Sequence, residues 1–161
     1  MTNSTHQPVL VEEVLSFLPA TASTFADLTL GEGGHAEAIL RELGKDASLI
    51  GFDRDVTALE KATARLAVLP NPTEFYHDSY ASLDTHLGAA RCASIDFALA
   101  DLGFSSLQLE GSGRGFSFTH PDEPLDLRFD VAAGEPLAVR LAHVAPAELT
   151  KVLAEFGELR Q

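Results

Sequence analysis

From residue 27 to residue 35 the chain reads Asp-Leu-Thr-Leu-Gly-Glu-Gly-Gly-His. Gly31, Gly33 and Gly34 let the backbone pass close to a ligand. A helix starting there would offer unpaired N–H groups to a carboxylate or phosphate. Asp53 follows at the spacing where a carboxylate accepts hydrogen bonds from both ribose hydroxyls of a nucleoside. Gly31-x-Gly33-x-x-Ala36 with Asp53 fits the dinucleotide fingerprint. Asp27 fits a different chemistry, the methyltransferase turn, in which an acid ending a strand meets the amino group of a methionine moiety. A dinucleotide-binding strand is usually apolar there. A purely structural tight turn is the third reading. His35 is a candidate polar contact, and its plain alternative is a water-exposed residue at a helix start.

A second constellation is Asp101-Leu102-Gly103-Phe104-Ser105-Ser106, after an apolar run. Enzymes that methylate exocyclic amino groups of bases often carry an acid or amide here, followed by an aromatic. The amine of cytosine is conjugated into its ring and is a poor nucleophile. Acceptors for its N–H protons push electron density toward nitrogen, and an aromatic stacks on the base. Asp101 is the candidate acceptor and Phe104 the candidate stacking face. The alternative is a capped loop with Phe104 in the core. No Ser/His/Asp order and no metal-ligand spacing stands out, His77 and His86 included, so no metal is expected.

Such residues need elements to aim them. Strands are predicted at 25–30, Ser48–Asp53, Thr73–His77 and 95–100, the last buried on both faces. Helices are predicted at Gly34–Leu43, with Ala38, Ile39 and Leu43 on one face and Gly44 as the stop, at 57–69 capped by Thr57, and at 82–87. Two more are expected at 136–141 and after Pro146 through Phe156. Between them, 102–130 is rich in Gly and Pro yet also in Phe, which favours an ordered functional loop. Alternating strands and helices imply a parallel sheet with right-handed crossovers. Ligands of such sheets sit at the carboxyl ends of the strands, near the switch in strand order.

The 161 residues suffice for one domain with one core. Hydrophobic residues make up 45% and charged residues 22%, ordinary for a soluble globular chain. No apolar run is long enough for a membrane span, and the first residues do not resemble a signal peptide. The lone Cys92 excludes an internal disulfide framework. A cytoplasmic location follows as the default. Eleven Lys and Arg against 24 Asp and Glu give a formal charge of −13. That balance argues against tight RNA binding by this segment unless another segment or a partner supplies positive surface.

The motifs taken together resemble one family. They are His6-x-Pro8-Val9-Leu10 with Glu13-Val14-Leu15, Asp27-x-Thr29-Leu30-Gly31-x-Gly33-Gly34-His35, and Asp53-Arg54-Asp55. Asp101-Leu102-Gly103-x-Ser105-Ser106-x-Gln108-Leu109, Arg114-Gly115-Phe116-Ser117-Phe118, Pro124-Leu125-Asp126-x-Arg128-x-Asp130 and Gly157-Glu158-x-Arg160 complete the set. In this order they resemble the bacterial methyltransferases that modify the N4 atom of a cytidine in 16S ribosomal RNA.

The resemblance implies a Rossmann-like class I methyltransferase α/β fold, with a parallel sheet and flanking helices. It implies S-adenosyl-L-methionine as cofactor and 16S ribosomal RNA as partner, and leaves a homodimer open. Gly33, Gly34 and His35 would line the methionine end, Asp53 the ribose and Tyr80 the adenine, with Asp101 and Gln108 completing the pocket. Asp27 and Gly31 belong to the same cofactor turn. Arg114, Phe116, Asp126 and Arg128 would form a substrate loop.

Departures are Glu32, Leu127 and Phe129, and Leu159 in the closing motif. Family members are also much longer, carrying a helical substrate insert and further strands. The fold is therefore expected to be incomplete at its C-terminal end, with the fourth strand as an apolar edge. A non-catalytic cofactor-binding relative and an NAD-dependent oxidoreductase are the alternatives.

Overall fold

Alternation along 48–53 buries side chains on both sides of a strand, and this run forms the centre of the sheet. The computed structural model describes residues 8–157; His6 and the closing Glu158, Leu159 and Arg160 lie outside them. Four parallel strands, β1 (Thr24–Asp27), β2 (Ser48–Asp53), β3 (Thr73–His77) and β4 (Phe97–Leu99), lie in the order β3-β2-β1-β4. Sheet growth reverses at β1, so the switch point falls between the turns after β1 and β4. The parallel sheet expected from the alternating pattern is present, in the Rossmann-like α/β arrangement that the resemblance implies.

Helices α1 (Val11–Ser16), α2 (Gly34–Leu43) and α3 (Val56–Leu66) precede a short 3-10 turn at Tyr80–Ser82 and α4 (Leu83–Cys92). Phe25 and Leu49 turn to one sheet face and pack with Ile39, Leu40, Leu59 and Leu66 of α2 and α3. Ala26, Ile50 and Phe52 turn to the other, with Leu83, Leu87 and Cys92 of α4. Period-two strands between amphipathic helices thus give two apolar layers around one sheet.

The chain divides into two compact units, Met1–Ser106 and Leu107–Gln161. The sheet belongs to the first. Helix α5 (Ser106–Gly111) starts at the boundary, and the second unit also holds α6 (Leu137–His143) and α7 (Pro146–Phe156). Proline opens α7, where a missing N–H costs nothing.

Several expected boundaries shift. β1 stops at Asp27 because the Asp27 carboxylate accepts the Thr29 N–H at 3.1 Å and bends the chain out of the ladder. Helix α3 is capped by Asp55, whose carboxylate accepts the Thr57 N–H, so Thr57 is not the cap. The buried stripe of α2 runs through Ala36, Ile39 and Leu40, with Ala38 beside it. α4 extends to Cys92 through a kink at Gly88. β4 is shorter than expected and is not buried on both faces: as an edge strand it leaves Ala98 exposed. The stretch 102–130 carries α5, and beyond it turns.

One side chain fixes where β4 pairs. Asp96 accepts from the Ser23 and Thr24 N–H groups at 2.8 and 2.9 Å and from the Ser23 hydroxyl at 3.1 Å. These bonds hold its carboxyl below the usual carboxylate range. Phe25, Ala26 and Asp27 then stand opposite Phe97, Ala98 and Leu99.

Candidate functional site

β1 delivers Asp27 to the carboxyl edge of the sheet, and the chain beyond it zigzags between its two neighbours. The Leu28 N–H donates to Leu99 O, and the Leu30 N–H to Phe52 O. Gly31 then donates its N–H to Asp53 Oδ2 at 2.7 Å. Asp53 Oδ1 accepts the Asp55 N–H at 2.8 Å. One carboxylate therefore ties the turn after β1 to the turn after β2. Burial raises the Asp53 carboxyl, opposed by the Asp55 and Gly31 N–H groups.

Gly33 precedes α2 in the left-handed region at φ 77°, with the backbone packed so closely that a Cβ there would lie 3.2 Å from Ala62 Cβ. Only glycine meets both demands without strain. Helix α2 starts at Gly34 and aims its first-turn N–H groups out of the same turn. Glu32, one of the departures from the family pattern, is paired with Lys61 at 3.1 Å.

Asp27 is 1% exposed. Desolvation pushes its carboxyl up to about 7, opposed by the Thr29 N–H and reinforced by the charges of Asp53 and Asp101. A cation beside this carboxyl would favour its ionised form. The ammonium of an amino acid is of the right type.

His35 is not the exposed helix-start residue of the plain reading, since its side chain is only 10% exposed. Its Nε2 donates to Val9 O at 2.8 Å, and its Nδ1 lies 3.9 Å from Asp101 Oδ2. The ring thus joins the N-terminal segment, α2 and the turn after β4. Asp101 itself is anchored through its backbone: its N–H donates to Thr29 Oγ1 at 2.7 Å, while its side chain stays 51% exposed. Phe104 is 59% exposed, so the core alternative fails for it.

Tyr80 stands 43% exposed on the 3-10 turn after β3. Nearby, Asp78 accepts from His86 Nε2 at 2.8 Å. His86 also packs against Tyr76, their ring centroids 4.6 Å apart. Among the described residues no group of three His, Cys, Asp or Glu could hold a metal ion. No described helix is long and apolar enough to cross a membrane.

The remaining sequence candidates belong to the second unit. Gln108 is buried on α5. Arg114 donates to the carbonyls of Arg128 and Phe129 at 3.0 and 2.8 Å, and its guanidinium lies 5.5 Å from the Phe116 ring centre. Arg128 and Asp126 form a two-pronged pair at 2.8 Å, which holds the Asp126 carboxyl low. Gly115 has φ 77°, and a Cβ there would lie 2.6 Å from Pro124 O. The loop named as a substrate loop is thus folded by the residues expected to serve substrate. Thr29 is the residue that sequence reasoning left without a role. An acid ending a strand, two residues before a Thr, was the available signal.

The first unit therefore gathers Asp27, Gly31, Gly33, Gly34, His35, Asp53 and Asp101 around the switch point of a parallel sheet. A family model described as the MraW methylase family matches residues 3–161. A curated relative from Nitratidesulfovibrio vulgaris (strain DP4), "Ribosomal RNA small subunit methyltransferase H", is 43% identical over 155 residues, 95% of this chain and 47% of its own length. Relatives with the same name from Dictyoglomus thermophilum and Nitrosomonas europaea are 40% and 41% identical over 156 residues, 96% of this chain. They are covered over 52% and 48% of their own lengths. The chain spans about half the length of the curated relatives it matches.

Proposed function

The chain belongs to the MraW methylase family, and from that premise we propose that it carries the cofactor half of an S-adenosyl-L-methionine-dependent methyltransferase acting on the N4 amine of a cytidine in 16S ribosomal RNA, in the cytoplasm. One observation carries the reading: Asp27, Asp53 and Asp101 end or follow β1, β2 and β4 around the glycine turn before α2. The donor set suits this cofactor. Asp53 ends β2, where a carboxylate suits ribose hydroxyls. The first-turn N–H groups of α2 suit a carboxylate. Buried Asp27 suits an ammonium.

When bound, S-adenosyl-L-methionine supplies a methyl group on a positively charged sulfur. The residues of this chain bind, orient and activate. Asp53, the Gly33–Gly34 turn and His35 at the start of α2 hold the cofactor, with Tyr80 as the adenine cover. Asp101 accepts an N–H of the attacking amine and turns its lone pair toward the methyl. Phe104, standing out from the same turn, gives the base a stacking face. No metal is needed, because positioning and amine activation are the main demands. The acidic balance of the chain supports a reading in which another segment or a partner supplies the phosphate-binding surface.

Calorimetric titration of the folded chain with S-adenosyl-L-methionine tests the cofactor reading. Saturable binding that is lost in Asp53→Ala is expected. Absence of binding, or preference for a nicotinamide dinucleotide, would overturn it. Incubation with small-subunit RNA lacking the modification, read by mass spectrometry of nucleosides, tests the transfer. Cofactor binding without any N4-methylcytidine would make the chain a binding relative.

A further inference from the structure

The turn after β4 follows a short strand. β4 is three residues long and lies at the sheet edge. Beyond it the Asp101 side chain is half exposed, Leu102 and Phe104 are exposed, and Gly103 has an open backbone at φ 154°. Yet the proposed chemistry asks Asp101 for a fixed position. A bond to its backbone comes from across the switch point, where Thr29 Oγ1 accepts the Asp101 N–H at 2.7 Å. Thr29 is itself fixed, because its own N–H donates to the buried Asp27 carboxylate. Leu28 and Leu30, on either side, are bonded to β4 and β2.

We propose that Thr29 is a positioning residue: its hydroxyl holds the Asp101 backbone against the turn after β1, so that the Asp27 and Asp101 carboxylates keep one mutual geometry toward the cofactor. This rests on the cofactor reading above and adds to it a residue that touches neither cofactor nor base. The role requires an oxygen on the side chain, and branching at Cβ is secondary. The bond to Asp27 uses the Thr29 backbone and survives any side-chain change except proline, so substitution isolates the hydroxyl.

The experiment is titration of the full chain and its variants with S-adenosyl-L-methionine, with thermal unfolding recorded for each. Thr29→Val, which keeps the shape and removes the oxygen, weakens binding about fivefold to tenfold, the worth of one hydrogen bond. Thr29→Ser restores binding to within about twofold. In an Asp101→Asn background the Thr29→Val loss shrinks, because the group that Thr29 positions has already been altered. A purely structural Thr29 would give additive losses and no such shrinkage.

If Thr29→Val does not fold, Thr29→Ala against Thr29→Ser asks the same question. Hydrogen exchange of the Asp101 amide in the unaltered chain asks it without any variant, and slow exchange is expected. Unaltered chain that binds while Thr29→Val binds equally well, or an Asp101 amide that exchanges at once, would overturn the positioning role alone. Failure of the unaltered chain to bind would sink the cofactor reading and this role with it.

Discussion

Asp53 and Asp101 follow strands on either side of β1, and the structure holds them in opposite ways. Asp53 is held by its side chain, whose two oxygens take the N–H groups of Gly31 and Asp55. Asp101 is held by its backbone, and its carboxylate is left half in solvent. The β1–β2 side of the site is closed by its own hydrogen bonds, while the β4 side keeps its functional groups turned outward. The difference matches the proposed division of labour. A cofactor that must be gripped the same way each time is met by a rigid cradle. A large substrate that must arrive and leave is met by a turn with exposed acceptor and aromatic groups.

The contrast is broken most severely by Asp53→Ala. Two backbone N–H groups lose a charged acceptor, and ribose loses its proposed partner. We expect cofactor affinity to fall by about 100-fold or more, with a stability loss of about 2–4 kcal/mol in denaturant unfolding. A variant that binds normally would mean the carboxylate is structural only.

Asp27→Asn is expected to act in the other direction on stability. The Asp27 carboxyl sits at about 7 against an ordinary 3.8, so the folded chain binds this proton more tightly than the unfolded one. Its stability cost is absent below the lower value, grows as pH rises between the two, and is complete above about 7. Asparagine keeps the acceptor for the Thr29 N–H and removes the charge. Unfolding at pH 8 should show the variant more stable by about 1–3 kcal/mol, with the gain fading toward pH 4, and cofactor binding should be weakened at pH 8. A variant less stable at pH 8 would contradict the buried, uncompensated carboxylate.

Gly33→Ala adds a Cβ at a left-handed residue against α3. A cost of about 1–2 kcal/mol in unfolding free energy is expected, together with weaker cofactor binding. The smallest stability effect belongs to the open side. Phe104→Ala should change unfolding by no more than about 0.5 kcal/mol, because the ring is largely exposed. It should still lower transfer to RNA while leaving cofactor affinity intact. A large stability loss there would mean that the β4 turn is as closed as its counterpart.

The elements around the closed side were readable because each is punctuated locally. The bounds of β2, β3 and α2 coincide with the alternation, the helical period and the stop at Gly44. What was not readable depended on bonds between distant or competing groups. Asp27 ends β1 by capturing a backbone N–H that alternation alone assigns to the strand. The apolar run at 95–100 reads as buried on both faces, but at the sheet edge it leaves Ala98 exposed, and what covers a strand is not a local property. His35 looked exposed because nothing nearby in sequence announces Val9 as its partner. Asp27, Gly33, Asp53 and Asp101 were picked out by type and spacing, and the sheet brings them to one edge. The internal commitments of Arg114, Asp126 and Arg128 were not, because an arginine bonded to carbonyls looks, in sequence, like one waiting for phosphate.

The anchoring of Asp96 to Ser23 and Thr24 bears on how this chain can change in length. A strand of three residues has too few ladder bonds to choose its own phase, and a slip of one residue would swap Phe97 and Leu99 for Ala98 on the core face. The carboxylate settles that choice before the ladder begins. Residues can therefore be gained or lost in the connection ahead of Asp96 with β4 still seated correctly, whereas a single insertion between Asp96 and Phe97 inverts the strand. Tolerance to insertion should change abruptly at that peptide bond.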